Sequence, residues 1–596
     1  MSVSTSRTNS ALNRSASIGV MALALLTTAC GGGGGSSVSP PPPPPPANMA
    51  PNAVIDTDVA TGFAALDVSF SAQSSTDSDG TIASYEWDFT SDGTADAMSA
   101  DATFTYDTTG SFTATLTVTD NDGATDSATI DIQVDRRPEK IAFIGTEAIL
   151  NADLFVVNDD GSDLVNLSET ASAPSPRVFS FKWSPDGQWL AYRYTPDINN
   201  SNISDLQVVS VDGGTPVRVS AAGTTNDRSV GSDFAWSPDS SQIAFTLQTG
   251  GASDATRETY LVDRDGANPI KINGTVGLNA RVGVVVPRWS PDGNYIFQVV
   301  EVASTGIGEG INIFDTTLGA GNSTRLVTST LGLRGLKTAP SSARICYNLG
   351  PFGSVRQIRI SDAASGVFPN NLVIGGGNAT FPNERQCEWF DDGSRVAFVS
   401  QNSNRTEDII IRDSDAAAPP QTIVSTSVDV AIERYAVRPN SDDEVLYSQL
   451  AVSPGANPEL FLAGLNAAPF QLGATLPNPN GAQVFGAWSP DGSDFAYFGN
   501  LTTQNILDIY VERPGESAPV QVTEFSGGEL ARTDTVPVWS NDETRLAYWA
   551  GVPSTTPGRF TDSSLQVANT DGSGVIVLTP GNLRPNAGDF AFQPVP

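Results

Sequence analysis

A five-residue motif recurs along most of the chain and constrains its fold more than any other feature. Copies close to Trp-Ser-Pro-Asp-Gly begin at Trp183, Trp236, Trp289, Trp389, Trp488 and Trp539, and weaker copies begin at Thr338 and Val437. Successive copies are 48 to 53 residues apart, and six of the nine tryptophans occupy the first position. A period of this length indicates repeated units that each bury an apolar face against a neighbour.

Each motif is followed by further segments with the pattern of short β-strands. In the unit that begins at Trp488, these are Phe495–Tyr497, Asp508–Val511 and Val520–Val522. Proline presets φ and Asp-Gly favours a tight turn, so we interpret the motif as a hairpin turn with its tryptophan packed between units. Four strands in a unit of this length are typical of a β-propeller blade.

The motif resembles the WD40-like propeller repeats of the TolB family, over residues 139–596. The resemblance implies a single closed β-propeller. The first unit, Ile141 to Leu167, lacks an opening Trp-Ser-Pro-Asp strand, and Phe590–Pro594 has the pattern of one. We therefore expect the C-terminal strand to complete the first blade and to remove an exposed edge. Eight whole units and this composite would give nine four-stranded blades, but known propellers usually stop at eight, so both counts stay open.

A different pattern of short alternating strands covers residues 51–135 and predicts an immunoglobulin-like β-sandwich. It resembles the PKD (polycystic kidney disease) domain in four ordered segments, Ser74–Gly80, Tyr85–Phe89, Thr105-Tyr106 and Val118–Gly123. The resemblance implies an adhesive or spacer module. Trp87 and Phe89 alternate with acidic residues, so we expect both aromatic side chains in the core. The whole chain is thus predicted to be all-β.

The sandwich segment is strongly acidic, with fifteen Asp, one Glu and no Lys or Arg between Pro51 and Asp135. This composition fits either a solvated acidic face or bound calcium, which prefers hard oxygen ligands. The candidate calcium ligands are Asp77, Asp79, Asp88, Asp120 and Asp122. Aspartate beside glycine also forms ordinary turns without a metal, so both interpretations stay open.

Residues 1–30 predict export and a lipid anchor. Arg7 and Arg14 precede an apolar run from Ile18 to Leu26, which is short for a membrane span and suits the core of a signal peptide. Thr27-Thr28-Ala29-Cys30 resembles a bacterial lipobox, although Thr27 stands where leucine is usual. The resemblance implies lipidation of Cys30. An ordinary signal peptide with an incidental cysteine is the alternative.

The linker at residues 31–50 is rich in glycine and serine and then in proline, which makes it a flexible tether followed by a stiff spacer. Such a spacer would hold a domain clear of a surface. Gly31 follows the lipobox cysteine where a family sorting rule places aspartate for retention in the inner membrane. By that resemblance we expect the outer membrane, on its periplasmic side or at the cell surface.

Two cysteines lie in the body of the chain. Cys346 falls in the second strand of one predicted blade, and Cys387 lies two residues before Trp389 in the first strand of the next. Adjacent blades pack face to face and an exported protein meets an oxidising compartment, so we expect a disulfide. Two separate buried thiols are the alternative.

The composition excludes several classes of function. The chain has no histidine, so it cannot build a Ser-His-Asp or Cys-His catalytic site, and it lacks the commonest zinc ligand. Its formal net charge is −34, from 66 acidic and 32 basic residues. A surface of this charge repels phosphate backbones, which argues against nucleic acid as a partner.

Long loops join second to third strands and successive units, for instance Thr195–Ser204 and Ala221–Gly231. Because strand direction alternates, these loops share one face, where we expect the binding surface. We predict a non-catalytic envelope lipoprotein that binds an envelope protein or a polysaccharide there. The alternatives are a purely structural spacer and a carboxylate-dependent glycosidase or lyase. No motif selects the pair of carboxylates about 5 Å apart that a retaining glycosidase needs.

Overall fold

The computed structural model describes residues 46–595 apart from short gaps. The gaps are residues 149–150, 169–176, 197–202, 221–227, 250–255, 273–279, 283–286, 303–308, 320–322, 330–332, 351–356, 364–371, 376–382, 403–405, 452, 454–455, 475, 477–481, 502–505, 516–517, 526–529, 533–534, 554–559 and 581–582. Contacts divide the chain into two compact units, residues 1–137 and 138–596. The described residues contain no helix long and apolar enough to cross a membrane.

The first unit is built from seven strands in two sheets. The strands are β1 Asp56–Thr57, β2 Thr61–Phe63, β3 Leu66–Ser71, β4 Ile82–Asp88, β5 Asp101–Tyr106, β6 Gly110–Asp120 and β7 Thr125–Asp135. One sheet has the order β1-β3-β5 and the other β2-β7-β6-β4. Their strands pair antiparallel, except that β2 runs parallel to β7.

Aromatic side chains fill the space between these two sheets. Trp87 is fully buried, and its ring centroid lies 5.5 Å from that of Phe70 on the opposite sheet. Its indole Nε1 donates a hydrogen bond to the Ser99 carbonyl at 2.9 Å. Phe89 is buried beside it, whereas Glu86 is exposed. The predicted alternation of aromatic and acidic residues along β4 is therefore confirmed.

In the second unit the described residues form eight sheets, the first of which has eight strands. This first sheet consists of two antiparallel groups joined by one parallel pair, Arg177 with Ala152. Counting the two groups separately gives nine antiparallel groups, which we call sheets S1 to S9 in chain order. S1 contains β8 Lys140–Ala148, β9 Asn151–Asn158 and β10 Val165–Asn166. S2 contains β11 Arg177–Trp183, β12 Trp189–Thr195, β13 Asp205–Ser210 and β14 Val217–Arg218. S3 contains β15 Arg228–Trp236, β16 Gln242–Thr249, β17 Thr256–Asp263 and β18 Ile270–Lys271.

The next three sheets follow the same plan. S4 has its first strand in two pieces, β19 Ala280–Val282 and β20 Arg288–Trp289, followed by β21 Tyr295–Val302, β22 Glu309–Asp315, a 3-10 turn at Thr316–Leu318 and β23 Ser323–Ser329. S5 contains β24 Leu333–Thr338, β25 Arg344–Leu349, β26 Gln357–Asp362 and β27 Leu372–Gly375. S6 contains β28 Asn383–Trp389, β29 Arg395–Gln401, β30 Glu407–Asp413 and β31 Gln421–Ser425.

The last three sheets end with a strand that returns to the first. S7 contains β32 Val430–Val437, β33 Val445–Ala451, β34 Glu459–Ala463 and β35 Phe470–Gln471. S8 contains β36 Gln483–Trp488, β37 Phe495–Gly499, β38 Asp508–Glu512 and β39 Val520–Gln521. S9 contains β40 Leu530–Ala531 and β41 Val538–Trp539 as its divided first strand, then β42 Arg545–Pro553, β43 Phe560–Asn569 and β44 Ile576–Val577. β45 Arg584–Phe592 pairs antiparallel with β8, which makes β45 the first strand of S1, as the sequence predicts.

Nine hydrophobic clusters connect the sheets, and each cluster contains residues from two consecutive sheets. Between S2 and S3, for example, Leu206 packs in one cluster with Trp236. Between S9 and S1, Trp549 packs in another with Phe143 and Phe592. The apolar contacts therefore run from S1 through to S9 and back to S1.

First strands of consecutive sheets lie close to one another. Those of most consecutive sheets, such as β11 and β15, approach each other within 8 Å between Cα atoms. The fourth strands are only two residues long in six of the sheets, and they carry exposed apolar side chains such as Val217 and Val577. Short outer strands leave little unpaired edge, which limits unwanted pairing with other chains.

The motif tryptophans tie consecutive first strands together by hydrogen bonds as well as by packing. In five motifs the indole Nε1 donates to a backbone carbonyl on the first strand of the preceding sheet. These bonds are Trp183 to Ala591 at 3.1 Å, Trp236 to Lys182 at 3.2 Å, Trp289 to Ala235 at 3.2 Å, Trp389 to Lys337 at 3.3 Å and Trp539 to Ala487 at 3.0 Å. The bond from Trp183 reaches β45, so it links S2 to the C-terminal strand of S1.

The junction of S9 and S1 carries an additional polar contact. Asn541 stands where the full motif has proline, and both its backbone N–H and its side-chain Nδ2 donate to Glu139 Oε2, at 2.9 and 2.8 Å. Its Nδ2 also donates to the Gln593 carbonyl at 2.8 Å. Proline could make neither the backbone nor the side-chain bond. The departure from the motif at this position therefore joins the two ends of the unit.

Candidate functional site

Strand direction divides the ends of S1 to S9 into two faces. First strands end at the motif turns, so the first-to-second and third-to-fourth turns share what we call the turn face. Second-to-third loops and the connectors between sheets share the opposite one, which we call the loop face. The long loops predicted to bind a partner belong to the loop face, and parts of them lie outside the described residues.

Every first strand is bulged or broken along its described length, and in S2, S3, S4, S6, S8 and S9 the irregularity lies on the loop-face side of the motif tryptophan. In S2, Val178 pairs with Tyr194 and Ser180 with Arg193, which leaves Phe179 as an extra residue. A similar irregularity interrupts the first strands of S1, S3, S5, S6, S7 and S8, and those of S4 and S9 are in two pieces. Bulges redirect side chains and are common beside functional sites. This shared feature was not predicted from the sequence.

The bulge in S2 presents an aromatic ring with two arginines over it. Phe179 is 38% exposed. The guanidinium Cζ atoms of Arg177 and Arg193 lie 5.3 and 4.8 Å from its ring centroid. Arg193 Nε also donates to Ser204 Oγ at 3.3 Å. We name Arg177, Phe179 and Arg193 the arginine platform.

Two buried polar atoms beside the platform have no hydrogen-bond partner among the described residues. They are Arg177 Nε and Ser180 Oγ. A buried donor without a partner costs about 1–3 kcal/mol, and such groups are rare in folded proteins. The platform therefore retains hydrogen-bonding capacity that the surrounding described chain does not use.

Buried carboxylates on the loop-face side are bound by hydroxyl groups. At the start of the third strand in three sheets, an aspartate accepts a hydrogen bond from a Ser or Thr that lies 15 residues later: Asp153 from Ser168 at 2.9 Å, Asp205 from Ser220 at 3.0 Å and Asp508 from Thr523 at 3.3 Å. The same hydroxyl accepts the backbone N–H that follows the aspartate. These carboxylates fasten the third strand to the end of the fourth. The 15-residue spacing between the aspartate and the hydroxyl residue is the sequence signal for this contact.

Burial raises the pKa of Asp508, against the lowering effect of hydrogen bonds from the Phe525 N–H and from Thr523. Burial likewise raises the pKa of Glu512, which is 2% exposed. Glu512 Oε2 accepts the Gly473 N–H at 2.8 Å and the Tyr497 hydroxyl at 2.9 Å. Glu512 thus fixes the end of S7 against S8.

Glu512→Gln should remove a pH-dependent loss of stability. Because its pKa is raised, Glu512 binds a proton more tightly in the folded state than in the unfolded state. The stability that this proton adds to the folded state is complete below the ordinary pKa of 4.5 and is lost as the pH rises through the pKa of the folded state. Glutamine keeps an acceptor for Gly473 and Tyr497 but cannot ionise. Urea unfolding at a series of pH values should show the variant gaining on the wild type above pH 4.5, by about 1.4 kcal/mol per unit of pKa shift.

The exposed Glu433 supplies the matched control. Glu433→Gln should change the free energy of unfolding little, since that side chain is exposed. A free-energy difference between Glu512→Gln and wild type that stays constant from pH 4 to 8 would contradict the assignment.

The five predicted calcium ligands do not converge. Asp88 lies at one end of β4, where it pairs with Thr115, whereas Ile82 at the other end pairs with Asp120. At about 3.3 Å per residue, these ends are roughly 20 Å apart. Asp88 instead accepts the backbone N–H groups of Thr90 and Gly93, at 3.2 and 2.9 Å. Its inclusion in one calcium site was therefore wrong, because β4 separates it from the others.

The remaining candidates lie near β6 and the loop before β4. Asp120 Oδ2 accepts Asn48 Nδ2 at 2.9 Å, and its Oδ1 accepts the Asp122 N–H at 2.8 Å. Asp79 accepts the Met49 N–H at 3.1 Å, and Asp77 Oδ2 is buried without a hydrogen-bond partner. No three acidic or cysteine side chains in the described part of the chain are grouped to hold a metal. Calcium binding stays a prediction.

A disulfide joins Cys346 in S5 to Cys387 in S6, with Cα atoms 6.3 Å apart. This separation lies within the range that a disulfide spans. Both residues are fully buried in the cluster that packs S5 against S6. Cys30 lies outside the described residues, so its lipidation stays a prediction.

Comparison with known proteins supplies a family for the first unit. Residues 48–134 match a family model described as the PKD domain. This segment is a PKD domain. The PKD1 domain of the Vibrio cholerae metalloprotease PrtV is 39% identical to it, with 15% of this chain and 99% of that chain covered and a TM-score of 0.13. The PKD1 domain of Vibrio anguillarum Epp is 34% identical, with 15% and 100% covered and a TM-score of 0.13.

Comparisons over longer spans are more distant. TolB from Acinetobacter baumannii is 17% identical, with 52% of this chain and 75% of that chain covered and a TM-score of 0.27. A prolyl endopeptidase structure is 14% identical, with 64% and 55% covered and a TM-score of 0.38, so the match spans little more than half of that chain. No curated protein sequence matches this chain. These comparisons support a PKD domain at residues 48–134.

Proposed function

We propose that S1 to S9 form a closed nine-bladed β-propeller, and that the chain is a non-catalytic envelope lipoprotein which binds a protein partner through the loop face. The return of β45 to S1 and the cluster that packs S9 against S1 support closure. The observation that carries the binding role is the arginine platform, an exposed aromatic with two guanidinium groups on a bulged inner strand.

The absence of histidine and the bonding of the buried aspartates to hydroxyl groups support a non-catalytic role. The sequence of residues 1–30 supports export and lipidation at Cys30, with the outer membrane as destination. Residues 31–50 would then act as the tether, and the PKD domain as a spacer or adhesive module between the anchor and the propeller.

Site-specific photo-crosslinking in cells tests the loop face. A photo-reactive residue at Val428, which is 55% exposed in the connector between S6 and S7, should give one adduct of defined mass. The matched control is Val575, which is 52% exposed in the third-to-fourth turn of S9 on the turn face. The control should give no adduct of that mass.

Equal adducts from both positions would contradict binding through the loop face, and no adduct from either would contradict a protein partner.

Metabolic labelling with a radioactive fatty acid tests the anchor. The wild type should carry the label and Cys30→Ser should not; an unlabelled wild type would overturn lipidation.

A further inference from the structure

We propose that a trough on the outer face of the PKD domain binds an extended, lysine-bearing segment of a partner protein. The trough lies entirely on the sheet with the order β1-β3-β5, so it is a second binding site that does not depend on the loop face. The class of ligand follows from the shape of the trough, its charge and the spacing of its side chains.

The trough is an open groove with a volume of about 540 Å³. Its floor is formed by small side chains of the central strand, and its two walls by side chains from either side. The floor is formed by Ser69 and Ser71, one wall by Asp56 and Asp58, and the other by Asp101 and Thr103. These side chains face solvent because the alternate residues of β3, Val68 and Phe70, are buried in the core. The three aspartates are exposed and therefore open to a ligand.

Strand pairing fixes the separation of the two walls. Ser71 pairs with Asp56 on one side and with Asp101 on the other, so the two aspartates lie in one row across the sheet. Two successive strand spacings put their Cα atoms about 10 Å apart. No three acidic side chains in the described part of the chain are grouped to hold a metal. A cation that contacts both walls must therefore be larger than a metal ion.

Hydrogen bonds orient the carboxylates of the walls. Asp58 Oδ1 accepts the Ser69 N–H at 2.8 Å, and this bond lowers the pKa of Asp58, which favours the ionised form. Asp101 Oδ1 accepts Ser71 Oγ at 2.7 Å, and Asp56 Oδ2 accepts a serine hydroxyl at 2.6 Å. A carboxylate offers about four lone-pair sites, so these bonds leave acceptors for a ligand.

The surrounding sequence supplies no positive charge to these carboxylates. Residues 51–135 contain no Lys or Arg. Aspartates of the second unit, by contrast, pair with basic side chains, as Asp159 does with Arg545 at 3.3 Å. Like charges in one trough repel each other, and a bound cation would relieve that repulsion.

The spacing of the wall residues favours a peptide as the source of the positive charge. Asp56 and Asp58 are two residues apart in extended chain, so their side chains are about 7 Å apart and point the same way. Alternate side chains of an extended peptide have the same spacing and direction. A lysine ammonium carries three donors on a flexible four-carbon stem, which can place it between carboxylates of the two walls.

Fluorescence polarisation of the full-length protein at physiological ionic strength tests the proposal. The probe is a labelled peptide with blocked ends, Gly-Lys-Ser-Lys-Ser-Lys-Gly, in which the lysines alternate. The comparison peptide, Gly-Ser-Lys-Lys-Lys-Ser-Gly, has the same composition and charge, but its neighbouring lysines point to opposite sides of an extended chain. The alternating peptide should bind roughly tenfold more tightly, and Asp56→Asn and Asp58→Asn should each remove most of that advantage, since each deletes a charge-assisted hydrogen bond.

Asp131→Asn supplies the matched control. Asp131 is exposed on β7 of the other sheet and accepts the Thr113 hydroxyl at 2.8 Å, so the substitution removes the same charge from the same domain. This variant should bind the alternating peptide as the wild type does.

Ser69→Tyr fills the trough without changing the charge and should abolish the preference for the alternating peptide. Thr117→Tyr is its control, because Thr117 lies between the buried Leu116 and Val118 and faces solvent on the other sheet. Tyrosine is well suited to β-strands, so the unfolding midpoints of both variants should stay near that of the wild type.

Equal affinity for the two peptides, or an equal loss in Asp131→Asn, would overturn the proposal in favour of attraction by net charge alone. Binding that Ser69→Tyr leaves unchanged would also overturn it, because the peptide would then lie elsewhere. Loss of the peptide in calcium at the concentration of the peptide itself would make the trough a metal site instead. Failure in any of these ways would leave the adduct expected at Val428 unaffected, because that position belongs to the second unit.

Discussion

Deleting residues 584–596 should abolish the cooperative unfolding transition of the second unit. The deletion removes β45, the first strand of S1, and leaves β8 as an unpaired edge. It also removes Phe590 and Phe592, each 6% exposed in the cluster that packs S9 against S1, and Phe590 contacts Trp549 with ring centroids 5.5 Å apart. Calorimetry and tryptophan fluorescence during urea unfolding would measure the loss.

Single substitutions test how much individual side chains contribute to the same contact between S9 and S1. Phe592→Ala should lower the free energy of unfolding by about 3–5 kcal/mol, as for other phenylalanines removed from a core. Phe470→Ala is the matched control, because Phe470 is 36% exposed on the fourth strand of S7 and should lose far less. A deletion variant that unfolds with the wild-type midpoint would show that the arrangement does not need to close.

Reducing the Cys346–Cys387 disulfide should lower the free energy of unfolding by about 4 kcal/mol. The two residues are 41 positions apart, and a crosslink that closes a loop of that size removes this much conformational freedom from the unfolded chain. Urea unfolding with and without reductant measures the difference. The link also joins S5 to S6 where the S5 motif begins with Thr338 in place of tryptophan.

The double variant Cys346→Ala, Cys387→Ala is the control. Its unfolding midpoint should lie below that of the oxidised wild type and should not respond to reductant. Two titratable thiols in the native, unreduced protein, or a wild-type midpoint that reductant leaves unchanged, would disprove the disulfide.

Much of the fold follows from local sequence signals. Trp183 and its equivalents recur at a nearly constant spacing, and a tight Asp-Gly turn requires particular residues. Both the spacing and the turn can therefore be recognised from the sequence. The pairing of Phe592 with Ile141 was also predictable, because an incomplete first unit and an unassigned last strand complement each other. The number of sheets could not be settled in this way, since closure depends on packing angles between distant parts of the chain.

The candidate site was less predictable because it depends on register. Phe179 is exposed only because a bulge shifts the pairing of β11, and a one-residue shift changes which face a side chain takes. Arg193 reaches the same ring from the neighbouring strand, and nothing in its local sequence indicates that contact. Asp88 illustrates the opposite error: it resembles its neighbours in composition, but the length of β4 removes it from them.

Because β45 is the last strand of the unit in chain order, S1 stays incomplete for much of the time that the unit is being synthesised. Trp183 and the carbonyl it bonds at Ala591 are 408 residues apart, and a ribosome that adds about 5–20 residues per second needs roughly 20–80 s to make that stretch. Throughout this interval S1 lacks its inner strand, and the edge of β8 can pair with any other strand that it meets. The earliest strands of this unit to be synthesised are therefore among the last to be completed, and β8 stays an unpaired edge until β45 has been made.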